Sequence, residues 1–148
     1  MRNEEKLVKK LADKNWKIAA AESVTGGLFA SSVISAPGAS NVIGASFVTY
    51  SDEAKVRFAG VSQDTLSTYG AVSEQVAGEM AAGAAALAGA HVGVGITGFA
   101  DGANGGLVCF GFSVCGFVSA VKIKFDGDRN SVRKSAAAFA VNTLIDQL

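Results

Sequence analysis

The sequence has 148 residues, of which 49% are hydrophobic, and its 13 lysines and arginines balance its 13 aspartates and glutamates. A chain of this length and hydrophobicity can bury a full-sized core, which excludes a disordered protein. The zero net charge argues against broad binding to nucleic acid or anionic membranes, and no apolar run approaches the roughly 20 residues that span a bilayer.

The cysteines and the first residues predict a cytoplasmic protein. Cys109 and Cys115 are too few for a disulfide framework or a cysteine-based zinc site. Residues 1–6 are polar and lack the apolar core of a signal peptide. We therefore expect reduced thiols and a single domain over residues 1–148.

Strands and helices alternate through the first half of the sequence. Apolar and β-branched residues predict a buried strand at Lys17–Ala20 and a second strand at Gly44–Tyr50. Helical periodicity and capping residues predict the helices around them. These helices cover Asn3–Lys14, Leu28–Ile34, a segment opened by Ser51, Gln63–Tyr69, and a longer segment that begins after Ser73 and ends at Gly89.

The second half contains three predicted strands and a last helix. The strands cover His91–Thr97, Leu107–Val114 and Phe117–Phe125, and the last two form a hairpin. Asp128 or Asn130 is expected to cap the final helix. This mixture predicts an α/β fold, a three-layer α/β/α sandwich with a mixed, mainly parallel sheet of about five strands.

Ser23 lies where the first strand ends and a helix begins. Ligands of open α/β sheets gather at the carboxyl ends of strands. Gly26 and Gly27 allow the backbone to approach a ligand, and the free N–H groups of a helix start attract an anion. A serine at such a turn is a nucleophile, a phosphate ligand or a plain N-cap.

Lys55 follows a second strand-to-helix junction, shortly after Tyr50. If the two strands are parallel neighbours, both junctions open on one edge of the sheet. Burial beside a pocket lowers the pKa of a lysine amine and allows it to act as a general base, and Tyr50 is placed to orient it or relay a proton. The alternative is a surface lysine on a polar helix.

Other catalytic classes fit the sequence less well. His91, the one histidine, begins a strand and is expected at the sheet edge opposite Ser23, which argues against a Ser-His-Asp triad. No histidine, cysteine or carboxylate cluster has the spacing of a metal site. The glycine pattern Gly93–Gly98 lies within a strand rather than before a helix, so it does not predict dinucleotide binding. Both cysteines are expected to be small buried hydrophobes.

Seven short motifs carry a family resemblance along nearly the whole chain. They are Ala21–Gly27, Pro37–Ser40, Val48–Lys55, Gly70–Glu74, Glu79–Ala81, Thr97–Gly98 and Gly127–Arg129. In this order they resemble the CinA C-terminal domain family, which includes stand-alone nicotinamide-nucleotide amidases.

The resemblance implies an α/β/α fold and hydrolysis of nicotinamide mononucleotide to nicotinic acid mononucleotide and ammonia, in pyridine nucleotide salvage. The family nucleophile falls on Ser23, the family lysine on Lys55 and the family tyrosine on Tyr50. It implies no metal or organic cofactor, a small-molecule nucleotide substrate and a homo-oligomer. The residues expected to bind substrate are Thr25, Gly26, Gly27, Thr97, Gly98 and Arg129.

Two of these binding roles have alternatives. Backbone N–H groups at residues 25–27 can hold either the oxyanion or the nucleotide phosphate. Arg129 is suited to pair with the phosphate, because its guanidinium is always charged and fork-shaped, or it is a surface residue near the last helix.

The sequence departs from the family pattern at two places. Val24 replaces a cysteine that is usual in the family, and the loop Phe99–Gly106 is short and lacks the family's Gly-Pro pair. If this loop lines the pocket, affinity or substrate choice has changed. The hypotheses are therefore an amidohydrolase, a nucleotide-binding module without turnover, and a structural subunit.

Overall fold

A five-stranded sheet forms the middle layer of the computed structural model, which describes residues 1–148. Its strands are β1 (Ile18–Glu22), β2 (Phe47–Val48), β3 (Val92–Gly98), β4 (Leu107–Val114) and β5 (Phe117–Lys124). Their order is β2-β1-β3-β4-β5, with β1 parallel to both neighbours and the last two pairs antiparallel. Since β5 regains the direction of β3, four of the five strands run the same way. The predicted mixed, mainly parallel sheet is confirmed.

Helices cover both faces of this sheet, which confirms the three layers. They are α1 (Asn3–Asp13), α2 (Leu28–Ile34), α3 (Asp52–Ala59), α4 (Gln63–Tyr69), α5 (Glu74–Ala88) and α6 (Arg129–Gln147), with a short 3-10 turn at Ala39–Asn41. The helices α1, α2 and α6 enclose the larger apolar cluster, and α3, α4 and α5 contribute to the smaller one. Successive side chains of β1 alternate between the two clusters, as strand geometry requires.

Glycines in the central strands allow α5 to lie close to the sheet. A Cβ on Gly93 would lie 2.0 Å from the carbonyl oxygen of Ala81, and one on Gly95 would lie 2.2 Å from that of Ala77. Gly111 in β4 is equally crowded, because its Cβ would be 2.0 Å from the Ala77 oxygen. The glycine pattern of β3 therefore serves helix-to-sheet packing, in agreement with the absence of a following helix.

Some boundaries differ from the sequence prediction. The second strand pairs only at Phe47–Val48 rather than over Gly44–Tyr50, and the Ala20 amide of β1 donates to the Ser46 hydroxyl instead of to a backbone carbonyl. In contrast, β1 continues past Ala20 to Glu22, where it pairs with β2 on one side and β3 on the other. The strand end therefore lies directly before Ser23.

Two burial predictions are wrong. Leu87, which the helical spacing of apolar residues predicts on the buried face of α5, is 58% exposed in the last turn of that helix. Cys115 is exposed in the β4–β5 turn with φ of 48°, whereas Cys109 is buried as expected. None of the helices combines the length and apolarity that crossing a bilayer requires.

Candidate active site

The turn Ser23–Gly27 connects β1 to α2. The backbone N–H of Ser23 donates to the carbonyl of Ile96 at 2.9 Å, which extends the pairing of β1 with β3 by one residue. Gly26 and Gly27 have φ of 57° and 103°, in the left-handed region that favours glycine. Gly27 is the N-cap of α2, so the plain N-cap alternative for Ser23 is wrong. The Ser23 side chain is instead buried beside a cavity.

Glu22, which the sequence analysis missed, holds this turn in place. Its buried carboxylate accepts hydrogen bonds from the Thr25 hydroxyl at 2.6 Å, the Phe29 amide at 2.9 Å and the Ala30 amide at 3.0 Å. The first-turn amides of α2 at these two positions therefore bind the protein's own anion rather than a ligand. An acidic residue just before a helix start was the available signal.

Lys55 lies beside Ser23 because β1 and β2 are parallel neighbours. The Ser51 hydroxyl caps α3 by accepting from the Ala54 amide at 3.1 Å, and Lys55 follows in the first turn. Its amine lies 3.4 Å from the Ser23 hydroxyl oxygen and donates to the Thr49 carbonyl at 3.1 Å. The lysine is only 2% exposed, so the surface-lysine alternative is wrong.

The environment of Lys55 favours a neutral amine. Burial lowers its pKa from the ordinary value of 10.5, and the nearby Asp52 carboxylate opposes this shift only partly. A deprotonated amine can accept a proton from a hydroxyl, which an ammonium cannot. The pair therefore has the chemistry of a serine nucleophile with a lysine base.

A cavity of about 260 Å³ opens beside the two side chains. Six predicted site residues line it: Ser23, Tyr50, Lys55, Thr97, Gly98 and Arg129. Thr25, Gly26 and Gly27 do not line the cavity, and the Thr25 side chain is fully buried against Glu22. The structure thus brings together most of the predicted residues and separates the turn glycines from them.

The exposed end of the cavity is formed by Tyr50, Arg129 and the loop after β3. The Arg129 guanidinium donates to the Tyr50 hydroxyl at 3.1 Å and to the Asp101 carboxylate at 3.0 Å. Tyr50 is 62% exposed, and its hydroxyl bonds to Arg129 rather than to Ser23 or Lys55. The loop residues Phe99–Asp101 also line the cavity.

The backbone of the turn offers unpaired donors. The amides of Val24 and Thr25 donate no hydrogen bond within the protein, and Val24 lines the cavity. The residue directly after a serine nucleophile commonly supplies an oxyanion donor. Val24 therefore combines an amide free of internal hydrogen bonds with a place in the cavity wall.

A metal site and a histidine base beside Ser23 find no comparable support in the structure. No group of three or more histidine, cysteine or carboxylate side chains is arranged to hold a metal ion. His91 accepts a hydrogen bond from the Lys17 amide at 3.0 Å and stacks on Trp16, at the start of β1 and β3. It therefore lies at the edge of the sheet opposite Ser23, as the strand directions predict.

Comparison with known proteins identifies the family of this chain. The family model described as "CinA C-terminal domain" matches residues 1–148. Nicotinamide-nucleotide amidohydrolase PncC of Enterobacter agglomerans is 45% identical over 142 residues, which are 91% of this chain and 87% of that protein. A CinA-like protein of Kosmotoga olearia is 43% identical over 94% of this chain.

Solved structures agree with the fold. A CinA superfamily protein from Escherichia coli superimposes with a TM-score of 0.95 at 36% identity, over 99% of this chain and 88% of that one. A second, from Klebsiella pneumoniae, gives 0.94 at 30% identity, over 98% and 94% of the two chains. The chain spans about a third of the length of several curated relatives, 35% for the Kosmotoga protein.

Proposed function

Because the chain belongs to the CinA C-terminal domain family, we propose that it hydrolyses the carboxamide of nicotinamide mononucleotide to nicotinic acid mononucleotide and ammonia. The observation that carries this proposal is the buried Lys55 amine, 3.4 Å from the Ser23 hydroxyl oxygen. The substrate is taken from the 45% identical relative whose name is nicotinamide-nucleotide amidohydrolase.

The reaction begins with nucleophilic attack. The Ser23 oxygen forms a bond to the amide carbon while the neutral Lys55 amine takes the hydroxyl proton. One N–H of that amine is held by the Thr49 carbonyl at 3.1 Å, which leaves its lone pair free to face Ser23. The 3.4 Å separation is long for proton transfer and is expected to shorten when substrate binds.

The tetrahedral intermediate then collapses to an acyl-enzyme. The Val24 amide donates to the oxyanion, and the Lys55 ammonium returns its proton to the leaving nitrogen as the carbon–nitrogen bond breaks. Ammonia departs and an ester to Ser23 remains. Water, deprotonated by Lys55, attacks that ester, and Lys55 returns the proton to the departing Ser23 oxygen. The sum is one amide and one water converted to one carboxylic acid and ammonia.

The exposed end of the cavity is proposed to bind the nucleotide. Arg129 offers a charged donor for phosphate, and Tyr50 orients that guanidinium through its hydroxyl. Thr97 and Gly98 shape the cavity wall, where the Thr97 hydroxyl is fixed by donating to the Ala71 carbonyl at 2.8 Å. We propose a supporting role for Thr25, Gly26 and Gly27, which form the turn that holds Ser23.

Ammonia release from nicotinamide mononucleotide tests the proposal. Wild-type protein should release ammonia, and Ser23→Ala and Lys55→Met should each lower the rate by at least about 100-fold, the usual range for a general base. Lys6→Met is the matched control, because Lys6 is an exposed lysine on α1. It should keep the wild-type rate.

Each outcome is decisive. A near-normal rate for Lys55→Met overturns the assignment of the base. No release from wild-type protein overturns the amidase proposal. A rise in melting temperature with nucleotide would then indicate a binding module without turnover.

A further inference from the structure

Each terminal nitrogen of the Arg129 guanidinium already makes one hydrogen bond within the protein. One donates to the Asp101 carboxylate at 3.0 Å and the other to the Tyr50 hydroxyl at 3.1 Å. These are the donors through which a guanidinium grips a phosphate in fork geometry. A phosphate at this end of the cavity must therefore displace, or lie beside, a carboxylate of the same chain.

We propose that Asp101 is a specificity-determining residue, whose carboxylate competes with a substrate phosphate for Arg129 and lowers the preference of the site for phosphorylated amides over the same amides without phosphate. This inference rests on the proposed function for the reaction, but its geometry does not depend on turnover.

The charges around the cavity support this competition. Asp52 and Asp101 line it as carboxylates, and Arg129 is the compensating cation. When Lys55 is neutral, as a general base must be, the cavity carries a net negative charge. Such a site attracts the cationic pyridinium ring of a nicotinamide nucleoside and repels a phosphate dianion.

Asp101 is held in position by its loop. The Phe99 amide donates to the Leu107 carbonyl at 2.9 Å, and the Gly106 amide returns to the Phe99 carbonyl at 2.7 Å. Gly106 has φ of 93°, and a Cβ there would lie 2.0 Å from the Phe125 oxygen, so the loop is packed directly against the end of β5. These bonds close the loop that carries Asp101, whose carboxylate contacts Arg129 at 3.0 Å.

The position of Arg129 in α6 also favours its pairing with Asp101. It is the first residue of α6, where the positive end of the helix dipole disfavours a cation. The hydrogen bonds to Asp101 and then to Tyr50 raise its pKa. The ion pair is nevertheless half exposed, so a phosphate can compete with it.

The test compares two ligands that differ only in phosphate. Nicotinamide mononucleotide and nicotinamide riboside are titrated by calorimetry into Ser23→Ala protein, with and without Asp101→Asn. At low ionic strength, Asp101→Asn should raise the preference for the mononucleotide over the riboside by about fivefold to tenfold, because it removes a competitor and a like charge. The gain should shrink at high salt.

Asp146→Asn provides the matched control. It makes the same change in charge at an exposed residue near the far end of α6, about 25 Å from Arg129 along the helix axis. It should leave the ratio of the two affinities unchanged. With catalytically competent protein, the ratio of kcat/KM values for the two substrates should change in the same direction as the affinities.

The outcomes separate this inference from the proposed function. If ammonia is not released but the affinity ratio shifts as expected, the proposed reaction fails and Asp101 retains its role. An equal gain for both ligands overturns the inference. So does an unchanged affinity for the mononucleotide, or no binding of it by either protein.

Discussion

Replacing Glu22 by glutamine removes the charge that anchors the Ser23–Gly27 turn. One carboxylate oxygen accepts from Thr25 and Phe29, and the other accepts from Ala30 at 3.0 Å. A glutamine can keep the first two contacts through its carbonyl oxygen. Its amide group then faces the Ala30 N–H, so a hydrogen bond becomes a contact between two donors.

The free energy of unfolding should fall by about 2–4 kcal/mol. A lost hydrogen bond to a charged group is worth about 1.5–3 kcal/mol, and a carboxylate at a helix N-terminus adds about 0.3–1 kcal/mol. Because Glu22 is 1% exposed, water cannot replace the lost acceptor. For a chain of this size the melting temperature should drop by roughly 4–16 °C.

Urea denaturation followed by circular dichroism measures this change, with Glu79→Gln as the control. Glu79 accepts one exposed hydrogen bond, from the Ser62 amide at 2.9 Å, which a glutamine oxygen can keep. That variant should lose less than about 1 kcal/mol. The reasoning is refuted if Glu22→Gln unfolds within about 0.5 kcal/mol of wild type, the range of ordinary surface substitutions.

Two further predictions follow from burial and packing. The rate should rise with pH and level off below 10.5, because burial lowers the pKa of the Lys55 base. Asp52→Asn should move the rising limb of the pH–rate profile to lower pH, because it removes a charge that raises that pKa. A rising limb that moves to higher pH would contradict this. Gly83→Ala should destabilise the protein by about 2–3 kcal/mol or more, since its Cβ would lie 1.6 Å from the Ala59 oxygen. Gly44→Ala, with nothing within 4 Å, should leave the urea midpoint nearly unchanged, and equal midpoints for both variants would exclude the packing argument.

The sequence predicts the pairing of Ser23 with Lys55 because that pairing follows from topology. Each residue follows a strand end, and parallel neighbouring strands bring their ends to one edge. The position of the β3 glycines inside a strand, rather than in a loop that opens a helix, was also accessible from the sequence pattern. These inferences need only strand order and direction, which periodicity and chain length constrain.

The contacts between distant loops could not be predicted from the sequence in this way. The bonds of Arg129 to Asp101 and Tyr50 join residues 28 and 79 positions apart, through exposed side chains whose patterning carries no signal. The shortness of β2 goes with a contact of the Ser46 hydroxyl with the Ala20 amide, which the residues of that strand do not show on their own. The catalytic and binding roles, the single domain, the homo-oligomer and the cytoplasmic location stay predictions.

The burial of Lys55 lowers the stability of the protein in a way that depends on pH. Because its pKa is lowered in the folded protein, the unfolded chain binds its proton more readily, and the resulting destabilisation is absent above 10.5 and complete once the pH falls below the lowered pKa. At neutral pH the lysine at this position therefore lowers the free energy of unfolding. If Lys55 is the proposed base, replacing it by an apolar side chain should raise the free energy of unfolding at neutral pH and abolish turnover at the same time.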